Sequence, residues 1–222
     1  MTVIAIDGPA AAGKSTVARA VALALGYEYL DTGAMYRAVA LAALENDVDP
    51  QDGHGLGELA RSLKIAATPG RATIDGRDVT ARIRDSDVTE LVPAISARPE
   101  VREALVALQR DAAATADVVM EGRDIGSAAV PDAEIKVFLT ASPDERARRR
   151  VRQLGAAEDS DTLESYRLSI EARDASDSNR TLSPLVQPED AFVIDSTGRP
   201  IDEVVDEIVS LARGRDAGSQ AR

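Results

Sequence analysis

The chain has no cysteine, no tryptophan and a single histidine, and aromatic residues make up only 3% of its 222 residues. Without cysteine it can form neither a disulfide framework nor a thiolate metal site. His54 stands among glycines in a polar segment, which predicts a surface residue and not a catalyst. The scarcity of aromatic side chains leaves few platforms on which the bases of single-stranded nucleic acid could stack.

The chain also has fewer basic than acidic residues, with 26 Lys and Arg, 38 Asp and Glu and a net charge of −12. A surface this acidic argues against nonspecific binding to nucleic acid or to anionic membranes, so a phosphate ligand must be held by a local cluster. No apolar run approaches the roughly 18 residues of a membrane span. The first eight residues contain no signal-peptide pattern. We therefore predict one cooperative unit in the cytoplasm, with no nucleic-acid or membrane partner.

One segment, residues 8–16, organises the rest of the chain. Its sequence G-P-A-A-A-G-K-S-T has the spacing G-x-x-x-x-G-K-[ST], in which backbone N–H groups turn inward toward phosphate oxygens. An apolar run precedes it and an alanine-rich helical pattern follows, as this motif requires. Lys14 adds a positive charge, and Ser15 offers a hydroxyl to Mg²⁺ at a helix N-terminus. The predicted nucleotide-phosphate site consists of Gly8, Pro9, Ala10, Ala11, Ala12, Gly13, Lys14, Ser15 and Thr16.

Short β-rich runs alternate with helical patterns along most of the chain, which is typical of a parallel sheet with crossover helices. The pattern predicts an α/β fold: a doubly wound, five-stranded parallel sheet with helices on both faces. Ligands should gather at the carboxyl ends of its strands. Strands are expected at 3–6, 27–30, 118–121, 135–139 and 192–194, and helices at about 15–25, 33–45, 99–115, 142–154 and 201–213.

The alternation breaks between about residues 46 and 96, which predicts a subdomain inserted into a core of residues 1–45 and 97–222. Asp75-Gly76 between two short alternating runs is a strong hairpin signal, so we expect a small antiparallel sheet there. An insertion at this point would overhang the strand ends and bind the acceptor substrate. Residues 215–222 lack large apolar side chains and are predicted to be a disordered tail.

Several charged clusters accompany these elements. Cap-type oxygens of Asp31 and Thr32 open the second helix, and a charged, glycine-containing turn follows the strand at 118–121. A third cluster begins at Ser142, where an N-cap, a proline and a capping-box glutamate start a helix with five arginines in seven residues. Three of them, Arg146, Arg149 and Arg150, share one helical face, as a polyphosphate clamp would require.

A second charged helix follows a polar connection at 155–161. Two helices joined by a flexible tip predict a lid at about residues 146–165. A lid would exclude water from a phosphoryl group during its transfer and so prevent hydrolysis.

These motifs together resemble the bacterial cytidylate kinases, a family of P-loop nucleoside monophosphate kinases. The resemblance covers almost the whole chain and rests on the phosphate loop, on D-T-G-A-M-Y-R at 31–37, on E-G-R-D-I-G at 121–126 and on the set Arg173, Asp177 and Arg180. It implies transfer of the γ-phosphoryl group of ATP to CMP or dCMP by a monomer, with Mg²⁺ as cofactor. The acceptor oxygen is already ionised near neutral pH, so positioning and charge neutralisation matter more than a catalytic base.

The resemblance also implies residue roles. Arg37, Arg123 and Arg180 would hold the acceptor phosphate, Arg173 and Asp177 would lie near the ribose, and Ser96, Arg102 and Asp124 would read cytosine. The implied catalytic residues are Lys14, Arg123, Arg149, Arg150 and Arg180. The implied CMP-binding residues are Asp31, Thr32, Tyr36, Arg37, Ser96, Arg102, Arg123, Asp124, Arg173, Asp177 and Arg180.

Two other functions stay open at this point. Another small-molecule P-loop kinase, acting on UMP, shikimate or dephospho-coenzyme A, would share the loop and the lid. The shikimate and dephospho-coenzyme A kinases lack the hairpin insertion and this many acceptor-side arginines. A nucleotide-binding switch would not be an enzyme, and the chain has no N-K-x-D guanine-reading motif.

The implied role of Asp124 generates a specificity prediction. Asp124→Asn replaces an acceptor-only carboxylate by an amide that can also donate to a uracil carbonyl. A charged hydrogen bond is worth roughly 1.5–3 kcal/mol, so kcat/KM for CMP should fall by about tenfold to a hundredfold while UMP gains relative to CMP. The measurement is the CMP-to-UMP ratio of kcat/KM. An unchanged ratio would mean that Asp124 orients Arg123 and that the base is read elsewhere.

Overall fold

A computed structural model describes residues 1–219 of the chain, and within them strands and helices alternate at both ends of the sequence. The first half contains β1 (Val3–Asp7), α1 (Lys14–Leu25), β2 (Glu28–Asp31), α2 (Thr32–Glu45), α3 (Gly53–Ser62), β3 (Ile65–Thr68), β4 (Arg71–Ile74), β5 (Arg77–Asp78), α4 (Ser86–Ser96) and α5 (Pro99–Thr115). The second half contains β6 (Val118–Glu121), β7 (Ile135–Thr140), α6 (Pro143–Leu154), α7 (Ser160–Ser178), β8 (Phe192–Asp195) and α8 (Ile201–Ser219).

The central sheet has five parallel strands in the order β2-β6-β1-β7-β8, which confirms the predicted doubly wound fold. Strands β1 and β6 are buried along their whole length, because neighbouring strands and helices cover both of their faces. Asp31 lies beside Glu121 in the register of β2 and β6, and Asp7 ends the adjacent strand β1. The sheet therefore collects carboxylates at its carboxyl edge.

The alternation of side chains along β1 divides the core into two layers. Ile4 and Ile6 pack with residues of α1 and α8 on one face. Val3 and Ala5 pack on the other face against the turn at 125–129 and the end of α5. Aliphatic side chains make up most of both layers, in a chain that has no tryptophan.

The inserted subdomain contains the predicted hairpin. Asp75 and Gly76 connect β4 to β5, and both have positive φ angles, 51° and 83°, as a type I′ turn requires. Strands β3, β4 and β5 form a separate antiparallel sheet. The prediction of a small antiparallel sheet in this segment is confirmed.

The insertion also contains two helices, α3 and α4, that the sequence pattern did not predict. Glycines at three of the first five positions of α3 disfavour a helix on local propensity alone. Tertiary packing overrides that propensity, because Leu56 and Ala60 are fully buried in the core of the subdomain. Gly57 lies so close to α5 that an added Cβ would come within 2.5 Å of the Glu100 Cβ. The glycine therefore permits the contact between the two helices.

The C-terminal helix α8 is longer than predicted. It continues to Ser219, so residues 215–219 are helical where the sequence pattern predicted the start of a disordered tail. Elongating an existing helix costs far less than nucleating one, which explains why the weak local signal did not end it. The rest of the predicted tail, residues 220–222, lies outside the described residues. Within the described part of the chain, no helix has both the length and the apolar composition to span a membrane.

The glycine at the end of β1 gives a stability prediction. Gly8 has a φ of +147°, and an added Cβ would lie 2.0 Å from the carbonyl oxygen of Leu139. Gly8→Ala should therefore lower the free energy of unfolding by about 3 kcal/mol or more, the sum of backbone strain and a steric clash. Gly70→Ala is the matched control, because Gly70 has a φ of +74° but nothing within 4 Å of its added Cβ. It should cost about 1–2 kcal/mol. Urea unfolding measures both, and equal losses would refute the role of the Leu139 contact.

Candidate active site

A cavity of about 1040 Å³ opens at the carboxyl edge of the central sheet. The phosphate loop forms its floor, and the walls come from the first turn of α2, from α4, from the turn after β6, from α6 and α7, and from the segment after β8. The predicted site residues that line it are Ala10, Ala11, Ala12, Gly13, Lys14, Ser15, Thr16, Asp31, Thr32, Tyr36, Arg37, Ser96, Arg102, Arg123, Asp124, Arg149, Arg150, Arg173 and Arg180. Three predicted residues, Gly8, Pro9 and Asp177, lie behind this lining.

Lys14 is the first residue of α1, and it lines the cavity although it is largely buried. Its Nζ donates to the carbonyl oxygen of Pro9 at 2.7 Å. Burial, together with repulsion from the nearby guanidinium of Arg123, lowers the pKa of Lys14 to about 7. Three nearby carboxylates, those of Glu121, Asp7 and Asp174, oppose this shift only in part, and a phosphate bound in front of the ammonium would add negative charge.

The carbonyl groups of the phosphate loop are bound by side chains from other elements. Arg123 Nη1 donates to the Gly8 oxygen at 2.7 Å. The Ala12 oxygen accepts from Arg149 Nη1 at 2.9 Å and from Ser196 Oγ at 3.1 Å. These contacts satisfy the Gly8 and Ala12 carbonyl groups, so neither oxygen remains an unpaired acceptor next to a bound anion.

The predicted clamp of three lid arginines is wrong in one member. Arg146 is buried and does not line the cavity; it pairs with Asp174 and donates to the Ala10 oxygen at 3.2 Å. Asp174 lies on α7, so helical spacing within α6 could not reveal this partner. Arg149 and Arg150 do line the cavity. Arg149 is anchored by Glu145 and Ser196, whereas Arg150 donates only to the neighbouring Gln153 among the hydrogen bonds of the described residues.

The three residues expected to read the base lie together in the structure. Arg102 and Asp124 form a buried ion pair, and the Arg102 guanidinium lies over the ring of Tyr36 at 5.6 Å. Ser96 accepts from Arg180 Nη2 at 3.0 Å. Burial raises the pKa of Asp124, and the Arg102 charge opposes that rise. Asp124 therefore has a cationic partner in the absence of a base.

A cluster of arginines surrounds the fully buried carboxylate of Asp177. Arg123 Nε donates to it at 2.7 Å, Arg180 forms a short hydrogen bond to it, and Arg173 Nε lies 3.7 Å away. One carboxylate cannot neutralise three guanidinium groups. Burial lowers the pKa of Arg173 to about 10 and also lowers the pKa of the neighbouring Arg37. The cluster is therefore a built site for an anion.

Two buried carboxylates of the site were missed by the sequence interpretation. Glu121 accepts from the Tyr29 hydroxyl at 2.7 Å, and burial raises its pKa. Asp7 accepts the N–H groups of Ile125 at 2.8 Å and Gly126 at 2.7 Å, which fixes the turn after β6, and burial raises its pKa to about 6. Both acids end buried parallel strands next to the phosphate loop. That position was the signal that could have identified them.

The residues around Ser15 can accommodate a magnesium ion. Ser15 and Glu121 both line the cavity, and the Ser15 side chain opposes the rise in the pKa of Glu121. Hydroxyl and carboxylate oxygens suit Mg²⁺, which keeps several waters and binds largely through nucleotide phosphates. Among the described residues no three His, Asp or Glu side chains form a metal cage. The geometry fits an ion that arrives with its nucleotide.

Comparisons with known proteins agree with one another. A protein-family model described as cytidylate kinase matches residues 4–214. A cytidylate kinase from Exiguobacterium sibiricum is 51% identical over 216 residues, which cover 95% of this chain and 96% of that protein. A cytidylate kinase from Solibacter usitatus is 46% identical over 215 residues, covering 96% and 93%. A gluconokinase structure from Sinorhizobium meliloti is similar with a TM-score of 0.52 and 17% identity, covering 100% of this chain and 98% of that one, and it indicates the fold alone.

The low pKa of Lys14 predicts a pH-dependent effect of its removal. Below pH 7 the lysine is charged in both states, so the folded protein bears the full cost of burying the charge. Between about pH 7 and its usual pKa of 10.5, only the unfolded state is charged, and stability rises with pH. Lys14→Met should therefore raise the free energy of unfolding at pH 7 by a few kcal/mol, since one pKa unit is worth about 1.4 kcal/mol.

The gain should shrink as the pH rises toward 10. Chemical denaturation at pH 7 and 9.5 measures it. Lys64→Met, at an exposed position, controls for the loss of a positive charge in an acidic protein. A Lys14→Met variant that is equally or less stable than the wild type at both pH values would contradict the assignment of a costly buried charge.

Proposed function

Because the chain belongs to the cytidylate kinase family, we propose that it transfers the γ-phosphoryl group of ATP to CMP or dCMP, giving ADP and CDP or dCDP. One observation carries the proposal. The phosphate loop and the arginine cluster around Asp177 line one cavity. The first binds the donor phosphates, and the second binds the acceptor phosphate, so both anions can meet without a diffusible intermediate.

The reaction requires charge neutralisation more than a base. The acceptor oxygen is ionised near neutral pH, and the transferred group passes through a loose transition state with negative charge on its peripheral oxygens. Lys14, in the phosphate loop, neutralises charge on the donor phosphates. Arg123 and Arg180 serve the acceptor phosphate together with Arg37, and Arg150 reaches toward the transferred group from the lid side. Lys14, Arg123 and Arg180 are held by hydrogen bonds before the substrates arrive, which is the arrangement that lowers an electrostatic barrier.

Mg²⁺ would neutralise charge on the donor phosphates when it is bound with ATP. Ser15 would offer its hydroxyl to the ion, and Glu121 would orient that hydroxyl or a water next to it. Thr32 fixes the end of β6 beside them, since its Oγ1 donates to the Glu121 carbonyl oxygen at 2.7 Å. The chain's contribution is therefore to position oxygen ligands at the helix N-terminus.

Recognition of cytosine follows from donor and acceptor patterns. The exocyclic amino group of cytosine donates to the Asp124 carboxylate, and the ring nitrogen and carbonyl oxygen accept from Arg102 and Ser96. Uracil presents a carbonyl where cytosine has the amino group and so meets a carboxylate unfavourably. Asp31 and Tyr36 complete the acceptor side, where Asp31 caps α2 through the N–H of Ala34 at 2.8 Å. Arg173 lines the cavity and would lie near the ribose, whereas Asp177 is fully buried and would act there through the arginines that it holds.

The subdomain division supports the same assignment. Helix α4 belongs to the insertion at about 46–96 and contributes Val92, Pro93 and Ser96 to the cavity wall. Helices α6 and α7 form the lid over the donor side. We further propose that the protein acts as a monomer on free nucleotides in the cytoplasm, since its net charge of −12 disfavours polymeric phosphates.

ADP production from ATP with each acceptor in turn tests the proposal. CMP and dCMP should react fastest. The kcat/KM for UMP should be lower by about tenfold or more, because a mismatched hydrogen bond at Asp124 is unfavourable. AMP, shikimate and dephospho-coenzyme A should give no turnover above background. Lys14→Met serves as the inactive control against a contaminating kinase.

A higher rate with shikimate, dephospho-coenzyme A or UMP would favour the other small-molecule kinases. Tight nucleotide binding without any acceptor-dependent ADP release would favour a nucleotide-binding switch.

A further inference from the structure

Side chains of the two lid helices, α6 and α7, form hydrogen bonds to the backbone of the phosphate loop at Ala10. Asp174 Oδ1, on α7, accepts the N–H of Ala10 at 2.8 Å. Arg146 Nη1, on α6, donates to the carbonyl oxygen of Ala10 at 3.2 Å, and the two side chains also form an ion pair with each other. Neither side chain lines the cavity, and they are only 9% and 17% exposed. They therefore contact the loop and not the space in which a ligand would lie.

The geometry of the peptide bond relates these hydrogen bonds at Ala10 to the cavity. In a planar trans peptide the carbonyl group of one residue and the N–H of the next point in opposite directions. Because Arg146 holds the Ala10 oxygen on the outer side of the loop, the N–H of Ala11 is directed inward, and Ala11 lines the cavity. The pair thus orients an amide that faces the donor phosphates without touching them.

The same position carries backbone strain. Ala11 has a φ of +59°, a left-handed conformation that an alanine adopts only where its surroundings impose it. The bonds of Asp174 and Arg146 fix both peptide groups of the preceding residue. A loop without them would relax to other conformations and would have to be ordered again on binding the nucleotide.

We propose that Arg146 and Asp174 are positioning residues for the donor nucleotide, which hold the phosphate loop in its binding conformation before ATP arrives. The inference rests on the proposed function, in that it takes the ligand of this loop to be ATP or ADP. Preorganisation of this kind increases affinity because the ordering cost is removed from the binding step. A pair that served only to join α6 to α7 would need no contact with the loop.

Other ion pairs on α7 provide a control for a purely structural role. Arg167 forms ion pairs with Glu164 and Glu171 on α7 itself, with no hydrogen bond to the phosphate loop among the described residues. Glu171→Gln is therefore the control for the loss of one carboxylate from α7. This substitution should change the equilibrium constant for unfolding and the dissociation constant for the nucleotide by no more than about twofold each.

The experiment separates stability from positioning. Single variants Asp174→Ala and Arg146→Met leave a buried charge unpaired and should lower both stability and affinity. The double variant Arg146→Met/Asp174→Leu removes both charges and refills the space, so it should recover most of the stability. Calorimetric titration with ADP, without acceptor, should still show affinity reduced about tenfold, while the affinity for CMP stays within about twofold of the wild type.

An ADP affinity of the double variant equal to that of the wild type would overturn the inference and reduce the pair to a structural tie. If the double variant does not fold, Asp174→Asn removes the negative charge at nearly constant shape. Its loss of stability is then measured beside its ADP affinity, because Arg146 is left unpaired. ADP affinity reduced about threefold or more with CMP affinity retained supports the inference, and unchanged ADP affinity overturns it.

The assay is independent of turnover and so of the acceptor's identity. A wild-type protein that binds ADP but does not phosphorylate CMP contradicts the proposed function alone. A wild-type protein that does not bind ADP contradicts both.

Discussion

The fixing of the phosphate-loop backbone by cationic side chains is the constraint on which the rest of the structure depends. A loop can present its N–H groups to an anion only if its carbonyl groups are satisfied on the other side. Here cationic side chains supply that satisfaction: the oxygens of Gly8, Pro9, Ala10 and Ala12 accept from Arg123, Lys14, Arg146 and Arg149. These four cations come from the turn after β6, the loop itself and the lid helix. The loop is therefore the point at which the elements of the fold are joined.

The second organising feature is a set of cations gathered around the cavity of a protein that is acidic overall. Asp177 is shared by three arginines, and Lys14 is buried near Arg123 with a pKa lowered to about 7. Such an arrangement costs folding free energy in the empty protein, because burial of like charges is unfavourable. Substrate phosphates would relieve the repulsion. Affinity for anions and reduced stability of the empty site are thus two consequences of the same electrostatics, as is common where a site is built for function.

Specificity has a different physical origin from phosphate binding. Arg102 and Asp124 are neutralised by each other and are fixed by burial and by the ring of Tyr36. Their contribution to specificity comes from the directions of their hydrogen-bond donors and acceptors and not from net charge. Asp7 connects the two functions, because its carboxylate holds the turn that carries Arg123 and Asp124 while it ends the strand leading into the phosphate loop. A single buried acid therefore holds the turn that carries Arg123 and Asp124, which we propose to bind the acceptor, next to the phosphate loop.

The sequence by itself determined the parts of this protein whose signals are local. The phosphate loop, the five strands of the sheet and the Asp75-Gly76 hairpin were predictable because spacing, periodicity and turn chemistry are properties of adjacent residues. The cluster of Ser96, Arg102 and Asp124 could be named only through resemblance, since the three come from different elements. Only the tertiary structure decided the glycine-rich helix α3, the burial of Glu121 and Asp7, and the partner of Arg146, which is Asp174 on the other lid helix and not a phosphate. Each of these depends on which distant segment packs against the residue, and burial and partner are set by packing between segments that no local pattern encodes.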